Sequence, residues 1–297
     1  MTYLVTGATG FIGTKLVHAL LARGDAVYYL ARRRSGKLPS QASFHPWDTA
    51  RQPELNALSR IDGIFHLAGE PIAQRWSASV KKRIYDSRVQ GTKNLVAALA
   101  GLQHRPGVLV SASAIGYYGD RGNEVLAETS EPQTDFLARL CQDWEQAAAG
   151  ARGFGVRTVS IRIAPVLGRE GGVLPAMLTP FRLGVGGRLG DGKQWMSWIH
   201  VDDLIRLLLF VADTASIENA ANGSSPQPVT NVDFTKALAS ALHRPALLSI
   251  PKFAMRWLQE ELAGYLFKSQ RVIPKAALEA GFRFDYPDLK SALQNLV

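Results

Sequence analysis

The sequence predicts an α/β fold: a doubly wound parallel sheet with a small C-terminal substrate lobe. Three observations carry that expectation. An apolar run, Thr2-Tyr-Leu-Val-Thr6, leads directly into the turn Gly7-Ala-Thr-Gly10-Phe-Ile-Gly13 and then into a helical pattern. Strand and helix patterns alternate through the first half of the chain, as βαβ units require. After Pro165 the pattern breaks into glycine- and proline-crowded segments and further helices.

Each element has its own signal. In the first helix Ile12, Leu16 and Leu20 fall four apart with Val17 and Leu21 beside them, and Gly24 closes it. A Gly-x-x-Gly-x-x-Gly turn between strand and helix lets backbone N–H groups and a helix N-terminus approach a pyrophosphate, which a side chain would block. The fold is therefore expected to be Rossmann-like, with a bound dinucleotide on Gly7, Thr9, Gly10, Phe11, Ile12 and Gly13. Ala26-Val-Tyr-Tyr-Leu30 reads as the second strand. Where an NAD site places an acidic residue on the ribose 2′-hydroxyl, this chain has Arg32, Arg33 and Arg34. A carboxylate repels a 2′-phosphate and a guanidinium holds one, so NADP(H) is favoured over NAD, with Arg32 as the phosphate contact.

A third short strand is expected over Phe44 to Asp48, and a fourth over Ile61 to Leu67. The fourth ends in small residues that let a ribose approach, which brings Leu67, Ala68, Gly69 and Glu70 into the candidate site. Ser77 caps a long helix carrying Arg88, Val89, Leu95 and Val96. Val108 to Val110 leads to Ser111 and Ser113, Asp135 precedes a helix over 136–149, and Arg157 to Ile163 is a strand. Gly168 to Gly192 suits a lid-like substrate region rather than sheet. Helices are expected from 198–203 through Phe210, over 234–242 and 253–266, and over 289–293. The division is a dinucleotide-binding domain over 1–165, to which 198–225 returns, and a smaller lobe from 166–197 and 226–297.

Composition narrows the classes. The 297 residues are 46% hydrophobic and 20% charged, an ordinary globular balance. No run approaches the roughly 20 apolar residues of a membrane span, and the N-terminus reads as a strand rather than a leader. A single cysteine, Cys141, excludes an intramolecular disulfide and fits a reducing, cytoplasmic setting. The net charge of +9 comes from dispersed basic residues, apart from the arginine triplet and Lys81-Lys82-Arg83, which suits anionic ligands rather than nucleic acid. No His/Cys/Asp/Glu cluster has metal-ligand spacing.

The motifs together resemble the extended short-chain dehydrogenase/reductases, in particular their atypical YfcH-like, SulA-like epimerase-family branch. The carriers are Gly7-x-x-Gly10-Phe-Ile-Gly13, His66-Leu-Ala-Gly-Glu-Pro71, Ser87-Arg88 with Gly91-Thr92, Gly171-Gly172, Pro180 to Gly184, Trp198-Ile-His200, Pro228 to Asn231, Gln270 to Pro274 and Gly281 to Phe284. The resemblance covers nearly the whole chain. It implies NADP binding through Gly10 to Gly13, Arg32, Leu67-Ala68, Arg88 and the Ala164 to Val166 segment.

The resemblance also implies hydride chemistry with a Ser, a Tyr and a Lys four residues beyond the Tyr. Ser113 stands where the serine belongs, but Leu137 and Cys141 occupy the Tyr and Lys positions. Cys141 reads as core, in a stripe with Leu137, Leu140 and Trp144. Tyr117 or Tyr118 is the candidate replacement acid, with Arg121 four residues beyond Tyr117, and Glu70 is another possible base. His200 with Asp202-Asp203 reads as a buried histidine at an acidic helix start, while Arg75-Trp76, Arg182 and Trp195 are candidate pocket residues.

Two functions are compatible with this pattern. One is an NADP-dependent oxidoreductase or epimerase acting on a small carbonyl or hydroxyl compound. The other is a catalytically silent NADP-binding regulatory protein working through a partner, which the SulA-like resemblance links to cell or organelle division, with an exposed apolar patch around 253–267. A monomer or a homodimer formed through the helices near Ile84 to Leu99 and Phe136 to Ala149 is expected by analogy.

Overall fold

The computed structural model describes residues 1–246, 248–251, 264–265 and 267–297. Seven strands form one sheet: β1 (Thr2–Thr6), β2 (Ala26–Ala31), β3 (Ser43–Pro46), β4 (Gly63–His66), β5 (Val108–Ala114), β6 (Arg157–Ile163) and β7 (Asn219–Gly223). Their order is 3-2-1-4-5-6-7, and every pairing is parallel. This is the doubly wound, Rossmann-like arrangement expected from the sequence.

The two-residue period of the strands decides which face each side chain serves. Val5, Phe65, Val110 and Val159 point to one face, where they meet Leu16, Val17 and Leu20 of α1 (Phe11–Ala22) and Leu204, Leu207, Leu208 and Val211 of a later helix, Val201–Asp213. Leu4, Ile64 and Leu109 point to the other face, against Leu95 and Val96 of α2 (Ala78–Ala98) and Ala148 of α3 (Phe136–Ala149). Both faces are thus covered by helices, which is why the strands read as near-continuous apolar runs.

Helix ends follow their local chemistry. Ser77 accepts from the Val80 amide and Asp135 from the amides of Leu137 and Ala138, so α2 and α3 begin where their capping residues place them. Gly24, at φ +86°, ends α1 with its amide on the Leu21 carbonyl while the Asp25 amide reaches the Leu20 carbonyl.

The segment from 168 to 192 corrects the expectation that it contributes no sheet. It contains a helix, α4 (Leu174–Arg182), and a strand, Gly187–Leu189, paired in parallel with Leu248–Ile250. Pro175 sits in the first turn, where its fixed φ favours a helix, and Leu174, Leu178 and Phe181 form a buried stripe. That stripe packs with Trp198, with Phe234 and Leu238 of α6 (Asn231–Ala241), and with Leu289 and Leu293 of the last helix, Leu289–Leu296. The helix expected over 253–266 lies outside the described residues apart from 264–265, as does most of the expected apolar patch around 253–267. Among the described residues no helix is long and apolar enough to cross a membrane.

Candidate active site

The strand order reverses between β1 and β4, and the crevice beyond their C-terminal ends is where such sheets bind ligands. Two close approaches shape it. Gly7 has φ +68°, and a Cβ there would fall 2.6 Å from the Leu67 carbonyl carbon. A Cβ on Gly13 would come within 2.2 Å of the Gly7 carbonyl oxygen, so α1 packs against the strand end only because Gly13 has no side chain. Gly10 is the N-cap of α1 and exposed like Thr9; no side chain caps the helix and its first turn holds no acidic residue. The first-turn amides of Phe11 and Ile12 are therefore left for an anion.

Phe11 closes one side of this turn. Its ring occupies the space where side chains at Gly168 and Gly171 would stand, at 2.3 and 2.5 Å from the added Cβ atoms. Val166, buried, accepts the Val173 amide on its carbonyl, and Gly172, at φ +75°, sits tight against that oxygen. The glycine-rich segment is thus a wall built onto the first helix.

Arg32 follows the last residue of β2. Arg32 and Arg33 are exposed and make no hydrogen bond or ion pair with another described residue, while the Arg34 guanidinium lies 5.9 Å from the Phe44 ring centroid. Asp48 is exposed and caps its own turn, accepting from the Ala50 amide. The strand end thus presents two exposed guanidinium groups, Arg32 and Arg33, with no hydrogen-bond or ion-pair partner among the described residues.

Opposite Gly7, Ala68 is buried, Leu67 and Glu70 are half-buried, and Gly69 is exposed. Arg88 of α2 lies directly beneath: a Cβ on Gly69 would be 3.0 Å from its Cζ. Arg88 is buried, donates to the carbonyls of Glu70 (2.9 Å) and Ile84 (3.3 Å), and keeps a buried Nε without a partner. Its guanidinium lies 5.1 Å from the Trp144 ring centroid, and burial pulls its pKa down to about 10. A buried cation that, among the described residues, is hydrogen-bonded only to carbonyls and keeps its Nε unmatched fits an anionic ligand in the cleft. Glu70 itself faces Gln74, 3.2 Å away, and Arg83, 3.7 Å away.

Beyond β5 the chemistry departs from the usual pattern. Ser111 is fully buried with its hydroxyl on the Ala112 carbonyl. Ser113 donates to Glu145 Oε1 at 2.7 Å. Glu145 is in turn held by Arg162 through two hydrogen bonds, Nε to Oε1 and Nη2 to Oε2, each 2.9 Å. The third guanidinium nitrogen donates to the Tyr118 hydroxyl and the Glu128 carbonyl, both at 3.0 Å, and the Tyr118 hydroxyl donates to Asn222 Oδ1 at 2.7 Å. Burial pushes the Tyr118 phenol up to about 12, marking it as a structural member of this network.

Tyr117 is half-buried, with its ring 3.5 Å from the Arg162 Cζ and its pKa raised by burial. Arg121 pairs with Glu124 and serves no lysine's role toward Tyr117. Cys141 is buried, as expected for core, and burial followed by the nearby Glu145 charge pushes its thiol up to about 12.

Glu145 and Arg162 were not picked out from the sequence. Their signal was present: Arg162 is a charge inside the strand Arg157–Ile163, next to the buried run Thr158 to Ile161, and a charge there demands a buried counter-charge. The remaining candidates are placed elsewhere. His200 caps the helix α5 (Val201–Asp213) by accepting the Asp202 amide, and stacks on Tyr286 at 3.9 Å. Trp76 packs on Phe136 and Tyr265, Trp195 donates to Asn123, and the Arg182 carbonyl accepts from Arg244. Among the described residues no group of three His, Cys, Asp or Glu side chains is arranged to hold a metal ion.

A parallel sheet with a glycine turn and a basic β2 end at its switch point defines a dinucleotide-binding protein of the extended short-chain dehydrogenase/reductase type. The chain belongs to the NAD dependent epimerase/dehydratase family, whose model matches residues 3–222. Residues 250–296 match a domain of unknown function, DUF1731. The chain is 40% identical over 302 residues to the chloroplastic "Epimerase family protein SDR39U1 homolog" of Arabidopsis thaliana, covering 100% of this chain and 87% of that protein. It is 34% identical to the Bacillus subtilis "Epimerase family protein YfhF", covering 100% of this chain and 98% of that one. Among solved structures, human epimerase family protein SDR39U1 (isoform 2), crystallised with NADPH, superimposes with a TM-score of 0.90 at 33% identity, covering 100% and 99% of the two chains.

Proposed function

We propose that this protein binds NADP(H) and is an oxidoreductase or epimerase acting on a small carbonyl or hydroxyl compound, in the YfcH-like branch of its family. The observation carrying the cofactor choice is Arg32 with Arg33, exposed at the end of β2 and unpaired among the described residues. Arg32 holds the 2′-phosphate, the turn from Gly7 to Gly13 and the α1 amides hold the pyrophosphate, and Arg88 supplies positive charge beneath Gly69. The bound nicotinamide supplies hydride transfer. With its proton on Glu145, Ser113 offers lone pairs to a substrate hydroxyl, and Tyr117 is the nearby acid.

Leu137 and the buried Cys141, standing where a Tyr/Lys pair would be, favour a second reading: a protein that keeps NADP(H) for a regulatory role without turnover. Both readings share the same first test, fluorescence titration with NADPH and NADH on the wild type and Arg32→Ala. NADPH binding that weakens by about 1–3 kcal/mol in the variant, with little NADH binding, supports the cofactor assignment. Failure to bind either cofactor overturns it. NADPH oxidation with a carbonyl panel, lost in Tyr117→Phe, then separates the enzyme from the silent binder.

A further inference from the structure

We infer that His66, held as its Nε2–H tautomer, is a positioning residue for the dinucleotide cleft, fixing the Ala68 amide and the Arg88 backbone together. The inference rests on reading that cleft as the NADPH site.

His66 is the last residue of β4 and is fully buried. Its Nδ1 lies 2.7 Å from Thr6 Oγ1 and its Nε2 lies 2.8 Å from Thr92 Oγ1. The two threonines settle the direction of every bond. The Thr92 hydroxyl donates to the Arg88 carbonyl at 2.5 Å, and with one proton to give it can only accept from the imidazole. Nε2 therefore carries the proton. A neutral ring then leaves Nδ1 bare, to accept from the Thr6 hydroxyl. The Thr6 oxygen accepts the Ala68 amide at 3.2 Å.

The result is a one-way chain from Ala68 N–H through Thr6, His66 and Thr92 to the Arg88 carbonyl. It joins the ends of β1 and β4 to the turn of α2 that carries Arg88. Its termini lie at the cleft: Ala68 faces Gly7, whose added Cβ would sit 2.8 Å from the Ala68 nitrogen, and Arg88 lies under Gly69. The opposite tautomer would leave Thr92 facing a bare nitrogen with no proton to offer. A side chain that filled the same volume without the two ring nitrogens would leave the buried Thr6 hydroxyl proton without an acceptor and take away the donor to Thr92.

The test is NADPH titration of wild type, Thr6→Val, Thr92→Val and the conservative Thr6→Ser and Thr92→Ser, with melting followed by circular dichroism. The valine variants are expected to bind NADPH about tenfold more weakly, and the serine variants to recover the affinity, because they retain the hydroxyl. Long-range ¹H–¹⁵N NMR on the unmodified chain, with His66 assigned through His66→Gln, is expected to show protonation at Nε2. That measurement stands even where a valine variant does not fold. Protonation at Nδ1, or wild-type affinity in both valine variants, overturns the inference while leaving NADPH binding intact. A wild type that binds no NADPH overturns the cofactor reading itself, and this inference with it.

Discussion

Arg162 and Glu145 form a bidentate ion pair inside the protein, with side chains only 5% and 15% exposed. Burial opposes the charge on Arg162, but hydrogen bonding and the Glu145 carboxylate outweigh it and hold the guanidinium above its ordinary range. Removing one partner leaves an uncompensated charge on the other. Glu145→Ala or Arg162→Ala is therefore expected to lower unfolding stability by about 3–5 kcal/mol. The apolar double variant Glu145→Leu with Arg162→Met is expected to cost less than either single change. Urea unfolding of the three variants checks this, and additive losses would remove the coupling.

The glycine turn makes a sharper contrast. Gly13→Ala puts a methyl 2.2 Å from the Gly7 carbonyl oxygen and 2.7 Å from the Ala8 Cα, both backbone atoms that cannot swing aside. The helix must retreat from the strand, at about 1–3 kcal/mol, and take its first-turn amides with it. Gly24→Ala meets nothing within 4 Å and strains only its own φ of +86°, at about 1 kcal/mol. NADPH titration is expected to show binding abolished in Gly13→Ala and retained in Gly24→Ala. Equal affinities would mean that the turn does not seat the cofactor.

These contrasts also indicate what the sequence could disclose. The turn, the strand β6 and both ends of α3 were legible because a period, a cap or a glycine marks each one locally. The helix α4 was hidden by its neighbours: proline and glycine around Leu174 to Phe181 outweigh a stripe of only three apolar residues. The strand β7, Asn219-Ala-Ala-Asn-Gly223, has no β-branched or aromatic residue and exists through its pairing with β6. The candidate cleft around Gly7 to Gly13 was marked in the sequence by the same glycines. The Ser113–Glu145–Arg162 network was not, since it joins a helix to a strand through contacts that no periodicity encodes.

Cys141 gives a direct readout of the same region. It is 3% exposed, and burial pushes its thiol up to about 12, so little thiolate forms near neutrality. The folded protein is expected to resist iodoacetamide at neutral pH and to react at one site per chain once unfolded in urea. The labelling rate should then follow global stability, falling further behind in stabilising conditions. Prompt stoichiometric labelling of the folded protein would show that α3 opens locally and that its apolar stripe is not core.

His66 sets the acid limb of stability. Burial lowers its pKa from 6.5 to about 4, so the folded chain holds it neutral while the unfolded chain protonates it first. Between those values the unfolded state binds the extra proton, and stability rises with pH. The contribution is complete above about pH 6.5 and is lost progressively as pH falls toward 4, amounting to about 3 kcal/mol over the window. Protonation would turn the Nδ1 acceptor into a donor facing the Thr6 hydroxyl, which already accepts the Ala68 amide, so the loss is coupled to the cleft. Urea unfolding across this range, on wild type and His66→Gln, is expected to show a steeper fall in the wild type by one proton's worth of slope. Parallel curves for the two proteins would mean that His66 is protonated in the folded state.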